Sequence, residues 1–357
     1  MNNELLMIGS VPLETVEEVF QMFGGPLGSM MPCMPDGEVG DRQYWVDGVA
    51  YRVFNGHPEL ETLSRPAPDN GVERWRPRSL DDEWSFRVRK GVAQVRFGDP
   101  GWRLGFTKDA VNSYFIFRKL KEEGALPREM RFQVSMPLTN SAIVAYFHDS
   151  ADFPRIVPGF EAAMRAEVAK MIEKIPPNDL AIQWDCALEI GDLEGELPYL
   201  PKDGAFERNV APAGNLSRDI PEEVMLGYHL CFGTLGGWPV FQPKDLTNSV
   251  RFANAIVAES GRRVDFVHVP SLNRADDAFY APLRDLKVGK TRVFLGEIHD
   301  MEDMNSFRKR LATARKYLPD FGLAAPCGFG RIDRSELPGI LKDHLRAIEA
   351  HREMARR

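Results

Sequence analysis

Several common features are scarce or missing in this sequence. Its 357 residues include four cysteines, too few for a disulfide framework in a chain of this length. No apolar run approaches the roughly 18 residues that a membrane-spanning helix needs. The first residues, MNNELLMIGSVPL, lack a basic stretch followed by a long apolar core, so we expect no signal peptide. These absences predict a cytoplasmic protein whose thiols stay reduced.

An excess of positive charge is also missing. The chain has 45 basic and 52 acidic residues, which gives a net charge of −7, and no basic stripe is visible. We therefore expect neither a nucleic-acid partner nor a membrane partner. With 43% hydrophobic and 27% charged residues, the composition is that of a globular protein with a large core.

Apolar runs alternate with segments of helical periodicity along the chain. The eight runs cover residues 5–8, 30–34, 130–136, 180–184, 224–233, 264–269, 291–298 and 321–325. The helical patterns cover residues 13–22, 108–121, 159–175, 248–260, 304–317 and 333–346. Strands that alternate with helices indicate an α/β fold with a parallel sheet.

Eight strand-like runs, most of them followed by a helical pattern, predict a (β/α)8 TIM barrel, formed as a single domain by residues 1–357. An open, doubly wound sheet with a second domain is the alternative. The first run is followed by GSVP, which is not the glycine-rich phosphate-binding motif of many doubly wound folds. The barrel is therefore the favoured architecture.

One connection is much longer than the others. Residues 43–128, between the second and third runs, contain several prolines and glycines and four of the six tryptophans, which are Trp45, Trp75, Trp84 and Trp102. Within this region, residues 85–106 have the pattern of two or three antiparallel strands. Because connections of this length are usually functional, we expect an inserted β-rich excursion that forms a lid or a pocket wall. Its tryptophans either line a substrate pocket or form the excursion's own core.

Unusual polar residues gather at the ends of the predicted strands, where barrel enzymes carry out their chemistry. His229 and Cys231 are two residues apart in the fifth run, so in a strand their side chains point to the same side. Cys327 follows the eighth run. Two thiolates and an imidazole suit a catalytic zinc site, which keeps three protein ligands and one open position. The alternative is a buried structural cysteine beside a hydrogen-bonded histidine.

Further candidates follow the sixth and seventh runs. His268 is the candidate fourth metal ligand, and the alternative is a histidine hydrogen-bonded to a neighbouring loop. Glu297 and His299 share one face of the seventh run. They are interpreted as ligands, orienting groups or catalytic proton carriers, or else as groups that satisfy other buried polar atoms.

Carboxylates end two other strands. Glu38 and Asp185 are candidates for the recognition of a substrate ammonium group through charge-assisted hydrogen bonds. The alternative is a salt bridge inside the barrel mouth, for example with Arg42. Trp184, next to Asp185, is a further candidate for substrate contact. Cys186 and Cys33 are interpreted as packing residues.

These motifs together resemble the C-terminal catalytic barrel of cobalamin-independent methionine synthase, in the superfamily that includes uroporphyrinogen decarboxylase. The similar segments are IGSVP (8–12), DGEVGDR (36–42), IQWD (182–185), YHLCFG (228–233) and APCGFGR (325–331). The resemblance implies that substrate contacts come from Ser10, Glu38 and Asp185. It also implies that zinc is held by His229, Cys231 and Cys327. The family's glutamate ligand after the sixth strand has no counterpart in HVPSLNR (268–274).

The resemblance implies a zinc-dependent methyltransferase-like enzyme that transfers a methyl or other alkyl group to a thiol, with a zinc-bound thiolate as the nucleophile. The expected partners are a small-molecule thiol or amino-acid substrate and a methyl or alkyl donor, for which a methylated corrinoid is one candidate. Two alternatives stay open. One is a zinc-dependent lyase or hydrolase on the same barrel, and the other is a non-catalytic barrel that binds a thiol or a corrinoid.

Overall fold

The structure, a computed structural model, describes residues 3–356 except 45, 80, 81, 300 and 302. Within these residues the strands are β1 (Leu5–Leu6), β2 (Cys33–Pro35), β3 (Leu60–Ser64), β4 (Ser85–Val88), β5 (Arg131–Pro137), β6 (Leu180–Cys186), β7 (Met225–Leu230), β8 (Phe266–Pro270), β9 (Arg292–Gly296) and β10 (Gly322–Ala324). The helices are α1 (Val16–Val19), α2 (Gly25–Leu27), α3 (Asp47–Val49), α4 (Phe106–Glu122), α5 (Thr139–Ile143), α6 (Phe153–Lys174), α7 (Leu188–Glu194), α8 (Ala205–Ser217), α9 (Thr247–Glu259), α10 (Asp277–Tyr280), α11 (Met304–Arg315) and α12 (Leu337–Ala355). Among the helices so described, none is long and apolar enough to cross a membrane.

Eight of the strands form one parallel sheet in the order β1-β10-β9-β8-β7-β6-β5-β2. Each of them corresponds to one of the eight apolar runs in the sequence. With its flanking helices, this sheet is a nearly closed (β/α)8 barrel, which confirms the predicted fold class.

The barrel is completed by side-chain contacts where its ladder stops. No ladder joins β1 to β2 among the residues that the structure describes. The buried amides of Gln133 on β5 and Gln183 on β6 each donate from Nε2 to the Ile8 carbonyl at 2.8 Å. They satisfy a carbonyl group in the barrel interior that would otherwise need another donor. The two glutamines therefore connect the end of β1 to the sheet.

Two hydrophobic clusters stabilise the barrel. The cluster inside the barrel contains Leu6, Ile8, Cys33, Ala181, Met225, Phe266, Phe294 and Ala324. The larger cluster packs the outer faces of the strands against the helices and continues into the excursion. Because successive strand residues point to opposite sides, Ala181 belongs to the inner cluster and its neighbour Ile182 to the outer one.

The excursion contains less β-structure than the sequence pattern predicted. Among the described residues between 85 and 106, β4 is the one strand, and it pairs antiparallel with β3, which was not predicted. The prediction of two or three strands in 85–106 is therefore wrong. Gly91, Gly98 and Gly101 have φ angles of +86°, +96° and +92°, a left-handed backbone that interrupts a strand.

The described tryptophans of the excursion pack against its own residues. Trp84 is buried and donates from Nε1 to the Trp75 carbonyl at 2.8 Å. The ring of Trp75 stacks on Tyr51, and the ring of Trp102 lies 5.1 Å from that of His57. Trp45 lies outside the described residues. These contacts agree with tryptophans that form the core of the excursion.

Helix boundaries differ from the sequence pattern mainly at the C-terminus. The pattern predicted a last helix over residues 333–346, whereas α12 runs from Leu337 to Ala355. A single 3-10 turn, Arg334–Glu336, precedes it, and the Asp333 side chain caps that turn by accepting from the Ser335 N–H. Since Pro338 has no N–H to donate, it suits the first turn of a helix better than an interior position.

Candidate active site

Three side chains with metal-binding groups converge at the carboxyl ends of β7 and β10. His229 lies on β7, Cys231 follows that strand, and Cys327 follows β10. Their donor atoms all lie within 4.8 Å of one another. The two Sγ atoms are 3.2 Å apart, and Cys327 Sγ is 3.8 Å from His229 Nε2. A tetrahedral zinc separates such donors by about 3.5–3.8 Å, so the separations in this group are close to those that a zinc ion needs.

The strand register explains why His268 contacts this group without joining it. His229 and His268 are paired residues on the adjacent strands β7 and β8, and their Nδ1 atoms are 2.8 Å apart. His268 Nε2 lies 3.1 Å from the Ala325 carbonyl. Both ring nitrogens of His268 therefore have partners within the protein. The structure does not support His268 as the fourth ligand.

The same contacts define how His268 orients the imidazole of His229. A carbonyl can only accept, so His268 Nε2 carries a proton, and burial lowers the pKa of His268 well below its ordinary value. Its Nδ1 is then an acceptor, and His229 Nδ1 donates to it. This tautomer leaves the lone pair of His229 Nε2 on the side of Cys327.

The two cysteines are electrostatically coupled. The hydrogen bond from Cys231 holds the pKa of the Cys327 thiol well below its ordinary range. Burial, followed by the neighbouring Cys327, raises the pKa of Cys231 well above its ordinary range. The thiol of Cys327 therefore ionises more readily than that of Cys231. A bound divalent cation favours ionisation of both thiols, because its positive charge replaces that of the proton between the two sulfur atoms.

Two buried carboxyl groups form the other side of the site. Burial, with the charge of Asp36 next, raises the pKa of Glu38 to about 8. Burial, with the charge of Glu38 next, raises the pKa of Asp185 well above its usual value. Each group therefore disfavours ionisation of the other. Asp185 is also the register partner of His229, so the carboxyls lie on the same side of the barrel as the metal-binding group.

The predicted salt bridge between these carboxyls and Arg42 is not formed. The Arg42 guanidinium lies 2.6 Å from Asp36, and no ion pair reaches Glu38 or Asp185 from the residues that the structure describes. Gln183 Nε2 donates to Asp185 Oδ1 at 2.8 Å. The two carboxyls are therefore buried without an ion-pair partner among the described residues.

Glycine at position 9 gives Glu38 the room it needs. A Cβ atom at Gly9 would lie 2.8 Å from Glu38 Oε1. Glu38 has a φ of +48°, and its N–H donates to Asp36 Oδ1 at 2.9 Å, which holds this uncommon backbone conformation. The segments IGSVP and DGEVGDR, which are far apart in sequence, thus meet at this carboxyl.

Ser10 fixes the loop that carries Cys327. Its Oγ accepts from the Gly330 N–H at 3.2 Å, and its carbonyl accepts from the Phe329 N–H at 2.6 Å. A Cβ at Gly328 would lie 2.7 Å from Ser10 Oγ, so the close approach requires glycine there. The structure gives Ser10 a positioning role, and its predicted contact with substrate stays a prediction.

Two predicted site residues lie elsewhere. Trp184 is fully buried and donates from Nε1 to Ser217 Oγ on α8 at 3.1 Å, so it packs between sheet and helix. Glu297 is also fully buried, and it accepts from Tyr280 Oη at 2.8 Å and from Arg310 Nε at 3.2 Å. The structure does not support Trp184 as a substrate contact or Glu297 as a proton carrier.

His299 does reach the site. It lines an open cleft together with Cys327. Burial, with the charge of Arg310 next, lowers the pKa of His299 to about 3, so the imidazole is neutral at physiological pH. Ser271 Oγ donates to the Gly296 carbonyl at 2.8 Å and lies 3.3 Å from His299 Nε2. His299 Nε2 therefore donates to the Ser271 hydroxyl, and the Ser271 backbone is a second polar neighbour of the ring.

Arg331 is a site residue that sequence reasoning missed. Its positive charge lowers the pKa of both Glu38 and Cys327, although neither effect is the largest on that group. Its guanidinium donates to Thr234 Oγ1, in the loop after β7. The signal was present in the sequence, since Arg331 is the last residue of APCGFGR. The charge of Arg331 therefore acts on both the carboxyl side and the thiol side of the site.

Fold and site together define a (β/α)8 barrel with a thiolate-rich candidate metal centre at the carboxyl ends of its strands. No family model matches the sequence, and no curated protein matches it. Solved structures with this fold include a B12-independent methionine synthase from Shewanella sp. W3-18-1 in complex with selenomethionine, with a TM-score of 0.61, 14% identity, and coverage of 100% of this chain and 98% of that chain. A putative vitamin-B12-independent methionine synthase from Listeria monocytogenes has a TM-score of 0.58, 10% identity, and coverage of 96% of each chain. At these identities the likeness shows the fold alone.

Proposed function

We propose that this protein transfers a methyl or other alkyl group to a small-molecule thiol, with zinc held by His229, Cys231 and Cys327. The carrying observation is the convergence of these three donors within 4.8 Å, beside two buried carboxyls. The fold shared with methionine synthases supports the same class of reaction. Zinc bound here would lower the pKa of a substrate thiol and keep it a thiolate at neutral pH.

The carboxyl groups are proposed to bind the ammonium group of an amino-acid thiol. Glu38 and Asp185 are buried, they disfavour each other's ionisation, and they have no ion-pair partner among the described residues. An ammonium group between them favours both carboxylates and forms charge-assisted hydrogen bonds. Substrate binding at neutral pH is then accompanied by proton release from this pair.

In the proposed reaction, the new sulfur–carbon bond forms while the bond between the alkyl carbon and the donor breaks, and the donor atom keeps the electron pair. His299 lines the same cleft as Cys327. Because its pKa of about 3 makes this imidazole a weak base at neutral pH, the proton that the thiol gives up is proposed to leave through the open cleft to solvent. The rival lyase or hydrolase function required Glu297 or His299 to move the proton, and Glu297 is engaged with Arg310 and Tyr280.

Metal analysis tests the proposed ligands. We expect one zinc per chain in the purified protein and its loss in the Cys231→Ser, Cys327→Ser and His229→Ala variants. Cys186→Ala is the matched control, because this thiol is buried behind the strand and its Sγ contacts only the Trp184 carbonyl among the described residues. Full zinc content in either serine variant would show that the ligand assignment is wrong.

Product analysis tests the reaction. The protein is incubated with homocysteine or cysteine and a panel of methyl donors, and the products are identified by mass spectrometry. Alkyl transfer makes a new thioether, whereas a lyase or hydrolase does not. Zinc-containing protein that forms no thioether with any donor, but hydrolyses or cleaves the same compounds, would replace the proposed reaction with its rival.

A further inference from the structure

A second cavity opens next to Cys327, away from the carboxyl pair. It is an open cleft of about 590 Å³ between the loop after β7, the loop after β10 and α12. Its volume falls within the range of about 300–1,000 Å³ that is usual for sites of small-molecule ligands. The small pocket at Asp36 and Glu38 has a different lining and shares no residue with the cleft. The site thus offers a ligand-sized space that is separate from the surroundings of Glu38.

The wall of the cleft contains a buried histidine with an unused acceptor. His344 on α12 is 1% exposed, and its Nδ1 lies 2.7 Å from the Ile340 carbonyl. Since that carbonyl can only accept, Nδ1 carries the proton and Nε2 has a lone pair. Nε2 is buried and has no hydrogen-bond partner among the described residues. Burial lowers the pKa of His344 to about 4, so the ring stays neutral. A buried acceptor of this kind is stabilised when a ligand supplies an N–H or O–H group.

The surroundings of His344 are shaped for a flat apolar group. Trp238 and Phe329 line the cleft with aromatic rings, and Ile340 adds an aliphatic surface. The Phe329 ring packs edge-on against His344, with 5.7 Å between ring centroids and an interplanar angle of 83°. Because Nε2 is buried, a ligand site at this atom requires the half-buried Phe329 ring to turn aside. Gly339 also lines the cleft, and a Cβ built there meets no atom within 4 Å.

We propose that this cleft binds the alkyl donor as a planar aromatic compound whose ring carries an O–H or N–H group that donates to His344 Nε2. The identification of the ligand as the donor rests on the proposed function. The cleft ends on Cys327 and His299, so a donor bound there reaches the sulfur-binding side of the site, while an amino-acid thiol occupies the Glu38 side. A corrinoid is much larger than the ligands that a cavity of this volume encloses.

Two matched probes test the ligand site directly. Guaiacol is a methoxybenzene with an adjacent ring hydroxyl, and veratrole is the same ring with that hydroxyl methylated. Binding to the purified full-length protein, without added thiol, is measured by ligand-observed NMR titration. We expect guaiacol to bind about five- to tenfold more tightly than veratrole, the effect of one hydrogen bond to a buried acceptor.

Two variants assign the binding to the cleft. His344→Phe keeps a flat ring but removes the acceptor, so it is expected to bind both probes equally. Gly339→Phe fills the open space on the same helix and is expected to abolish binding of both probes. Leu345→Phe, which adds an aromatic ring at an exposed position of α12, is the matched control and should behave as the original protein does.

The result that overturns the proposal is equal affinity for the two probes in the original protein, or binding that Gly339→Phe leaves unchanged. Absence of guaiacol binding overturns it as well. The binding measurements need no catalytic turnover, so they test the ligand site independently of the proposed reaction. If zinc or thioether formation fails while guaiacol binding depends on His344 and Gly339, the proposed function is wrong and the ligand site stands. If the protein binds zinc and forms the thioether but neither probe binds, the proposed ligand site is wrong and the proposed function stands.

Discussion

Replacing Glu38 by glutamine should change stability in a way that depends on pH. The Glu38 carboxyl is buried beside Asp36, and its pKa of about 8 lies well above the usual 4.5. Between these values the folded protein keeps a proton that the unfolded chain releases. The contribution of Glu38 to stability is therefore complete below about pH 4.5 and is lost as the pH rises through about 8.

The size of the effect follows from the same shift. At about 1.4 kcal/mol for each pKa unit, the change from 4.5 to about 8 corresponds to ~5 kcal/mol of stability lost at high pH. Glutamine has the same shape and cannot ionise. We therefore expect Glu38→Gln to be nearly neutral at low pH and to stabilise the protein by several kcal/mol, with ~5 kcal/mol as the upper bound, at about pH 9.

Urea unfolding followed by tryptophan fluorescence measures this difference at about pH 5 and about pH 9. Glu129→Gln, at an exposed loop position, is the control and should change stability equally little at both pH values. The same change in unfolding free energy for Glu38→Gln at both pH values would refute the reasoning. So would a variant that is less stable than the original protein at high pH. The variant should also bind the amino-acid thiol more weakly, since one partner of the ammonium group loses its charge.

Other predictions concern residues around the site. His268→Phe should weaken zinc affinity by about 10- to 100-fold, because His229 loses the acceptor for its Nδ1 proton. A competition with a chelator measures this affinity. An unchanged affinity would show that His268 does not orient His229. Arg310→Met should lower the free energy of unfolding in urea by about 3–5 kcal/mol, because it leaves Glu297 buried without its ion-pair partner. Adding Glu297→Gln to this variant should restore part of the lost stability. Trp184→Phe should lower stability by about 1–3 kcal/mol while zinc content and the KM for the thiol stay the same; a raised KM would return this residue to the substrate site.

The barrel could be predicted because the strands of a parallel sheet are buried on both faces. Such strands read as continuous apolar runs, as in β7, where all six residues are buried. The excursion does not follow this rule. β3 has the sequence LETLS and two exposed residues, so a short, half-exposed strand did not stand out from the polar sequence around it.

The predicted site residues that the structure does not support differ in what the sequence could show about them. Trp184 could have been excluded from the sequence, because Asp185 points to the barrel interior and its neighbour must then face the helices. Glu297 could not, because its partners Tyr280 and Arg310 come from segments on either side of β9 and no local pattern shows that they meet. The contact between His229 and His268 depends on the register of β7 and β8, which the sequence leaves open.

The donor set itself favours an amino thiol as the acceptor. Pro270, two residues beyond His268 on β8, has no metal-binding side chain, so the proposed ligands are two thiolates and one imidazole. Their charge balances that of a zinc ion, and a substrate thiol that ionises adds one negative charge to a site already containing Glu38 and Asp185. A thiol without an amine leaves this charge uncompensated in a buried place, which is costly. A thiol with an amine brings its own cation to the carboxyl pair, favours their ionised forms and is selected by the charge-assisted hydrogen bonds that result.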